Sequence, residues 1–277
     1  MSRLFPDRVV VGLAPAALGY ARLQGVSRPR IVEKRVLDCD PQFGPQPWQG
    51  AVAALAQLAG ALKSARTSVT VVLSNHFVRY ALVPRNDGLD RGAENLAFAR
   101  YCLGKIYGER SKAWEVRLGD GTTGSTRVAS AIDAELLQAV RACFAPDGKA
   151  KLVSVQPYLM SAFNRWRSVA GGKSAWLLLV EPRRACLARL ETGHWNAVRN
   201  TRGDFEGPDE WAEMLDRERH LMAAAAAEGE IFVHAPHRAK VEDVEAGSWR
   251  FKALTLPELA GYSPIEDARL DMALSAL

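Results

Sequence analysis

The chain has 277 residues, 48% of them hydrophobic, enough to bury a sizeable core in one large domain or two smaller ones. Its 36 basic and 31 acidic residues give a formal charge of +5 with no run of five or six like charges, which permits anionic partners without arguing for nucleic acid, whose binders concentrate Lys and Arg in a patch. The longest mainly apolar stretch, 51–62, is well short of the roughly 20 residues that span a bilayer; the first seven residues lack the apolar core of a signal peptide, and Cys39, Cys102, Cys143 and Cys186 are scattered without CxxC spacing, so a cytoplasmic, reducing location is expected.

In chain order, 8–13, 17–24 and 30–37 read as three β-branched and aliphatic strands joined by Pro- and Gly-containing turns, a meander. Pro41, Pro45 and Pro47 lead into a helix over about 48–64, followed by a buried strand at 68–73 and another at 76–83, ended by Pro84. Asp90 is placed to cap a helix that stops at Gly108. Strands at 114–118 and 126–131 read as a hairpin around Gly119-Asp120-Gly121, and Asp133 as the cap of a helix ending near Phe144. A strand at 151–155 precedes a helix from Pro157 to Trp166, and Gly171-Gly172-Lys173-Ser174 reads as a linker. The order then restarts: strands at 175–180, 184–191 and 194–200, a helix over about 208–226 and a strand at 231–233.

The restart is also written in the residues. Positions 11–23 align without a gap on 178–190; each copy is an apolar strand, a turn around Pro15 or Pro182, and a returning strand ending in Ala-Arg-Leu. A duplication is therefore expected, with a first lobe at 1–170 carrying an inserted α/β subdomain at about 85–132, a shorter lobe at 171–277, and Ala14 facing Glu181 across a cleft.

A doubled β-β-β-α-β-α lobe resembles the actin-like (ribonuclease H-like) ATPase fold, and within it the pilus-assembly protein PilM and the cytoplasmic part of the type II secretion protein GspL. The resemblance rests on residues 9–23, on 71–84, on the strand-to-helix step at 153–159 and on a final helix after Tyr262. It implies an α/β, two-lobed scaffold of a type IV pilus or type II secretion-like assembly. Its implied partner is an inner-membrane protein with a short cytoplasmic segment, and membrane contact comes only through that partner. The alternative it leaves open is an ATPase or small-molecule kinase of the same fold, with Glu181 organising the metal.

The departures from the fold's nucleotide pattern weigh against that alternative. Active members place an Asp followed by Gly and small hydroxyl residues in the first turn, where carboxylate and backbone N–H groups meet metal and phosphate; here the turn reads Ala14, Pro15, Ala16. The second turn reads Glu181, Pro182, Arg183, without the Gly that close backbone approach needs. The Gly-Gly pair beside adenosine is replaced by His234-Ala235-Pro236-His237. The expectation is a pseudo-ATPase with no catalytic residues, no metal and no cofactor, binding ATP weakly at most.

The remaining candidates each have a plainer reading. Arg183-Arg184 suits a phosphate, because guanidinium forks match such anions, but solvated turn arginines look the same. His234 and His237 have i,i+3 spacing without a third ligand nearby. Arg167, Arg183, Arg184, Arg189 and Arg199 make a nucleic-acid stripe only if folding aligns them. On the 90–107 helix, Leu96, Leu103, Ile106 and Tyr107 read as the core stripe. Phe98, Tyr101 and Cys102 fall on a second face that is either sandwiched or offered to a partner.

Overall fold

In the computed structural model, residues 6–25, 27–63, 66–86, 92–119, 125–170, 174–221, 230–238 and 242–277 are described. The chain opens with β1 (Asp7–Ala14), β2 (Ala17–Gln24), β3 (Arg30–Asp38), α1 (Gln49–Leu62) and β4 (Thr67–Leu73). Next come β5 (Val78–Val83), α2 (Gly92–Tyr107), β6 (Trp114–Leu118), β7 (Arg127–Asp133), α3 (Ala134–Ala142), β8 (Ala150–Pro157), α4 (Tyr158–Arg165) and α5 (Arg167–Ala170). The second series is β9 (Ala175–Glu181), β10 (Arg184–Glu191), β11 (His194–Arg202), α6 (Pro208–Leu221), β12 (Glu230–His234), β13 (Val244–Ala246), β14 (Trp249–Ala253) and the single-turn α7 (Asp271–Leu274). None of the described helices is long and apolar enough to cross a membrane.

Two compact units result: Met1–Val78 with Ile132–Arg165 and Leu256–Leu277, and Arg79–Ala131 with Trp166–Thr255. These are not the contiguous spans 1–170 and 171–277, because the last segment returns to the first unit and the inserted segment groups with the second. The first unit holds a five-stranded sheet in the order β3-β2-β1-β4-β8, with β1-β2-β3 antiparallel and β4 and β8 parallel to β1. The second holds the order β11-β10-β9-β12-β14-β13, whose first four strands repeat that arrangement.

The duplication extends to the register. Both hairpins close on two residues, between Ala14 and Ala17 and between Glu181 and Arg184. A β-bulge interrupts the β2–β3 ladder at Arg22/Leu23, and another interrupts β10–β11 at Arg189/Leu190. The two bulges occupy aligned positions of the Ala-Arg-Leu repeat, where an extra residue bends and twists the strand.

Glycines floor the first sheet. Gly12 and Gly19 are cross-strand partners, and a Cβ on Gly19 would lie 2.8 Å from the Arg269 carbonyl oxygen, one on Gly12 2.9 Å from Met272. The 3₁₀ turn Ala268–Leu270 and α7 therefore lie directly on the strands, burying Leu270, Ala273 and Leu274 against Val10, Ala21 and Leu23. In the second unit Trp176, Leu178, Val180, Ala185 and Leu187 pack on Trp211, Met214 and Leu215 of α6 and on Phe251. The N-terminus of α6 is set locally: Pro208 takes the first helical position and the Glu210 carboxylate accepts the Gly207 N–H at 2.9 Å.

Several sequence expectations shift. The strand after β4 leaves the first sheet and joins a three-stranded sheet, β5-β7-β6, covered by α2. Asp133 caps α3 as expected, its carboxylate accepting the Glu135 N–H at 2.8 Å. β13 and β14 have no counterpart in the sequence reading. The Asp90 cap, the Asp120-Gly121 tip, the Gly171-Gly172-Lys173 linker and the helix beyond Leu221 lie outside the described residues.

Candidate functional site

The two hairpin turns are built on the same frame and differ in backbone. Arg183 has φ +61°, in the left-handed region that costs a side-chain-bearing residue about 1–2 kcal/mol. Ala16, its aligned residue, does not enter that region. Pro182 contributes no N–H, and Arg183 stands where glycine would let a phosphate reach the backbone. At the first turn, Ala14 and Pro15 are half-buried and Ala16 exposed, with the Ala16 carbonyl accepting the Cys39 N–H at 2.9 Å.

Around the second turn is a cavity of about 520 Å³ lined by Glu181, Pro182, Arg183, Asp204, Phe205, Glu206, His237 and Arg238. Three carboxylates and two guanidiniums share it. Burial, and then the charges of Arg238 and His234, push His237 down to about 4, against a hydrogen bond with the Val180 backbone. The ring is therefore neutral near pH 7, which leaves the cavity without the extra positive charge a phosphate would favour. Among the described residues no group of three His, Cys, Asp or Glu side chains is placed to share a metal ion.

Arg184 does not line this cavity. Glu181 stands opposite Arg184 across β9–β10, and Arg184 opposite Arg202 across β10–β11. Arg184 is only 3% exposed and donates to the Asn200 side-chain oxygen at 2.9 Å. Burial first, then the charges of Arg79 and Arg202, lower its proton affinity, and Glu181 opposes them. Arg183 and Arg184 thus belong to different environments and make no two-residue clamp. His234 does not line the cavity either and is buried, with its ring 4.5 Å from that of Trp166. Asp204, Glu206, Arg238, Arg79 and Arg202 escaped the sequence reading, since nothing local marks a loop acid or arginine as a neighbour of a distant turn.

The wider arginine series does not make a stripe: Arg184 and Arg189 are buried, Arg189 lies 5.4 Å over the Trp176 ring, and Arg199 pairs with Glu218 at 3.2 Å. Burial pushes all four thiols up, so none is an activated nucleophile.

On α2 the expected stripes are redistributed. Ala99 and Leu103 are the buried centre, with Leu96, Phe98, Cys102 and Tyr107 packed beside them. Ile106, expected in the core, is 59% exposed, and Tyr101 is 57% exposed. The helix is rotated so that Phe98 and Cys102 flank the core. Tyr101 stacks outward on Phe98 with centroids 6.2 Å apart, and the Lys105 ammonium lies 5.4 Å from the Tyr101 ring.

No family model matches the chain, and no curated protein matches it. Among solved structures, a Bacteroides thetaiotaomicron protein with an actin-like ATPase fold and unknown function matches with a TM-score of 0.54 at 8% identity, covering 83% of this chain and 81% of that one. The chain has the actin-like ATPase fold. The same fold brings a TM-score of 0.59 at 13% identity to the cytoplasmic domain of EpsL, an inner membrane component of the type II secretion system of Vibrio cholerae, over 98% of this chain and 96% of that one. A PilM-PilN type IV pilus biogenesis complex matches with a TM-score of 0.50 at 19% identity, over 79% and 68%. The actin-like neighbours thus include both proteins that the sequence resembles.

Proposed function

We propose that this chain is a nucleotide-independent scaffold of a secretion or pilus assembly, held at the inner face of the inner membrane by a short cytoplasmic segment of a membrane partner. The observation that carries the reading is the likeness to the EpsL cytoplasmic domain along nearly the whole of both chains. The PilM-PilN complex supports a protein partner. The Pro182-Arg183 turn, with its missing donor and left-handed arginine, supports independence from nucleotide. Tyr101, stacked outward on Phe98, is the anchor assigned to the partner, because an exposed aromatic supplies rigid area at little entropic cost.

Deleting the gene in its native host should abolish secretion or pilus display, and the wild-type chain should restore it. Calorimetric titration with Mg-ATP should give no micromolar binding. Tyr101→Ala should weaken capture of the membrane partner by about 2 kcal/mol or more with an unchanged melting curve, whereas Phe98→Ala should lower stability. Normal secretion and pilus display in the deletion strain would sink the assembly reading. The competing reading, an ATPase or small-molecule kinase, draws on the cavity that unites Glu181 with Asp204 and Glu206. Saturable ATP turnover that disappears in Glu181→Gln would establish it.

A further inference from the structure

The first unit has a basic cavity away from both hairpin turns. It measures about 700 Å³ and opens between the start of β1, the β2–β3 turn and the segment 256–277. Arg8, Arg28, Arg30 and Arg165 line it, with Glu258 as the one acidic side chain. Among the described residues Arg8, Arg28 and Arg30 form no ion pair, and Arg165 donates to the Leu277 oxygen at 3.4 Å. The heads of Arg8, Arg28 and Arg30 are solvent-exposed. The wall behind them is apolar, built from Leu256, Leu259 and Tyr262, which pack against the Val10–Leu274 cluster.

Three guanidinium forks beside an apolar wall select a ligand with two properties. Carboxylates match the forks, forming two parallel hydrogen bonds each. Apolar side chains match the wall, and the volume lies within the range that houses a few side chains. A lipid surface fits less well. Membrane-inserting faces present protruding apolar side chains, and among the described residues none of the exposed large apolar side chains, such as Phe43, Val153 and Ile265, lines the cavity.

We propose that this cavity docks an acidic peptide segment of a partner protein, its carboxylates on Arg8, Arg28 and Arg30 and its apolar side chains against Leu256, Leu259 and Tyr262. The assignment concerns the chemistry of the ligand and does not depend on the assembly proposed above.

Selection of a random peptide display library on the full chain provides the test. The selected peptides should be rich in Asp and Glu with interspersed Leu or Phe. A synthetic copy should bind Arg28→Ala/Arg30→Ala about tenfold or more weakly and lose affinity as salt is raised. Both positions are exposed, so the melting curve of the double variant should match the parent's. Leu259→Asp should weaken the same peptide while leaving Tyr101-dependent capture of the membrane partner intact. The proposal is overturned if no peptide is selected, if the selected peptides carry no acidic bias, or if the double variant binds them as well as the parent. It is also overturned if phosphatidylserine vesicles, compared with phosphatidylcholine vesicles, are bound through Arg28 and Arg30 while acidic peptides are not.

Discussion

The two meander sheets share strand order, hairpin length and bulge position, yet they are finished in opposite ways. The first carries Gly12 opposite Gly19, and a backbone turn lies on that bare floor. At the aligned positions the second carries Leu179 and Cys186, both fully buried, followed by the Glu181–Arg184–Arg202 row. The backbone pairing holds the frame whatever the side chains are, so the frame survives while the chemistry at each turn changes. Hairpin geometry is therefore weak evidence for nucleotide chemistry, and the residues at the turn carry that information.

The largest effect that would break this comparison comes from giving the first sheet the side chain of the second. Gly19→Cys should destabilise the protein by about 3 kcal/mol, read as a lower urea midpoint, because the new atoms meet the Arg269 backbone rather than a flexible side chain. An unchanged midpoint would mean that close approach is not what separates the two sheets. The reciprocal truncation, Cys186→Ala, should cost about 1 kcal/mol, the loss of one buried polarisable atom without backbone conflict.

The turns should respond with opposite signs. Arg183→Gly should stabilise by up to about 1 kcal/mol by releasing a left-handed arginine, whereas Ala16→Gly should destabilise by about 0.5 kcal/mol through the added freedom of the unfolded chain. Equal shifts in melting temperature would show that the turns are energetically alike. A further contrast is a pH dependence in the acid range, carried by His237 of the second unit. His237 titrates at about 4 when folded against 6.5 when unfolded, so below about pH 6.5 the unfolded state binds more protons. Its contribution is fully present above that pH and is lost as pH falls through about 4. His237→Gln should flatten the denaturation midpoint across this interval, and an unaltered slope would place the acid sensitivity elsewhere.

What was legible in the sequence was what local pattern decides. The β1–β2 and β9–β10 hairpins, the Asp133 cap and the α6 start each announce themselves within a few residues. β13 and β14 did not, because strands of three and five residues interrupted by Gly247, with Glu245, Arg250 and Lys252 among them, resemble a polar loop. The destination of β5 was hidden because a strand's sequence does not name its neighbour. The face that α2 presents depends on rotations of a few tens of degrees, enough to exchange Ile106 for Phe98. At the second turn, Glu181 and Arg183 were visible through the repeat, but Asp204, Glu206 and Arg238 reach the cavity by tertiary folding alone.

The return of 256–277 to the first unit also orders events during synthesis. β1 and β2 leave the ribosome before the second unit is made, and the segment that covers their glycine floor leaves it after Thr255. Until 256–277 emerges, Val10, Ala21 and Leu23 lack their lid, and the first unit cannot close as an independent foldon. The nascent chain should therefore hold this first sheet in a chaperone-accessible state until residues 256–277 have been made.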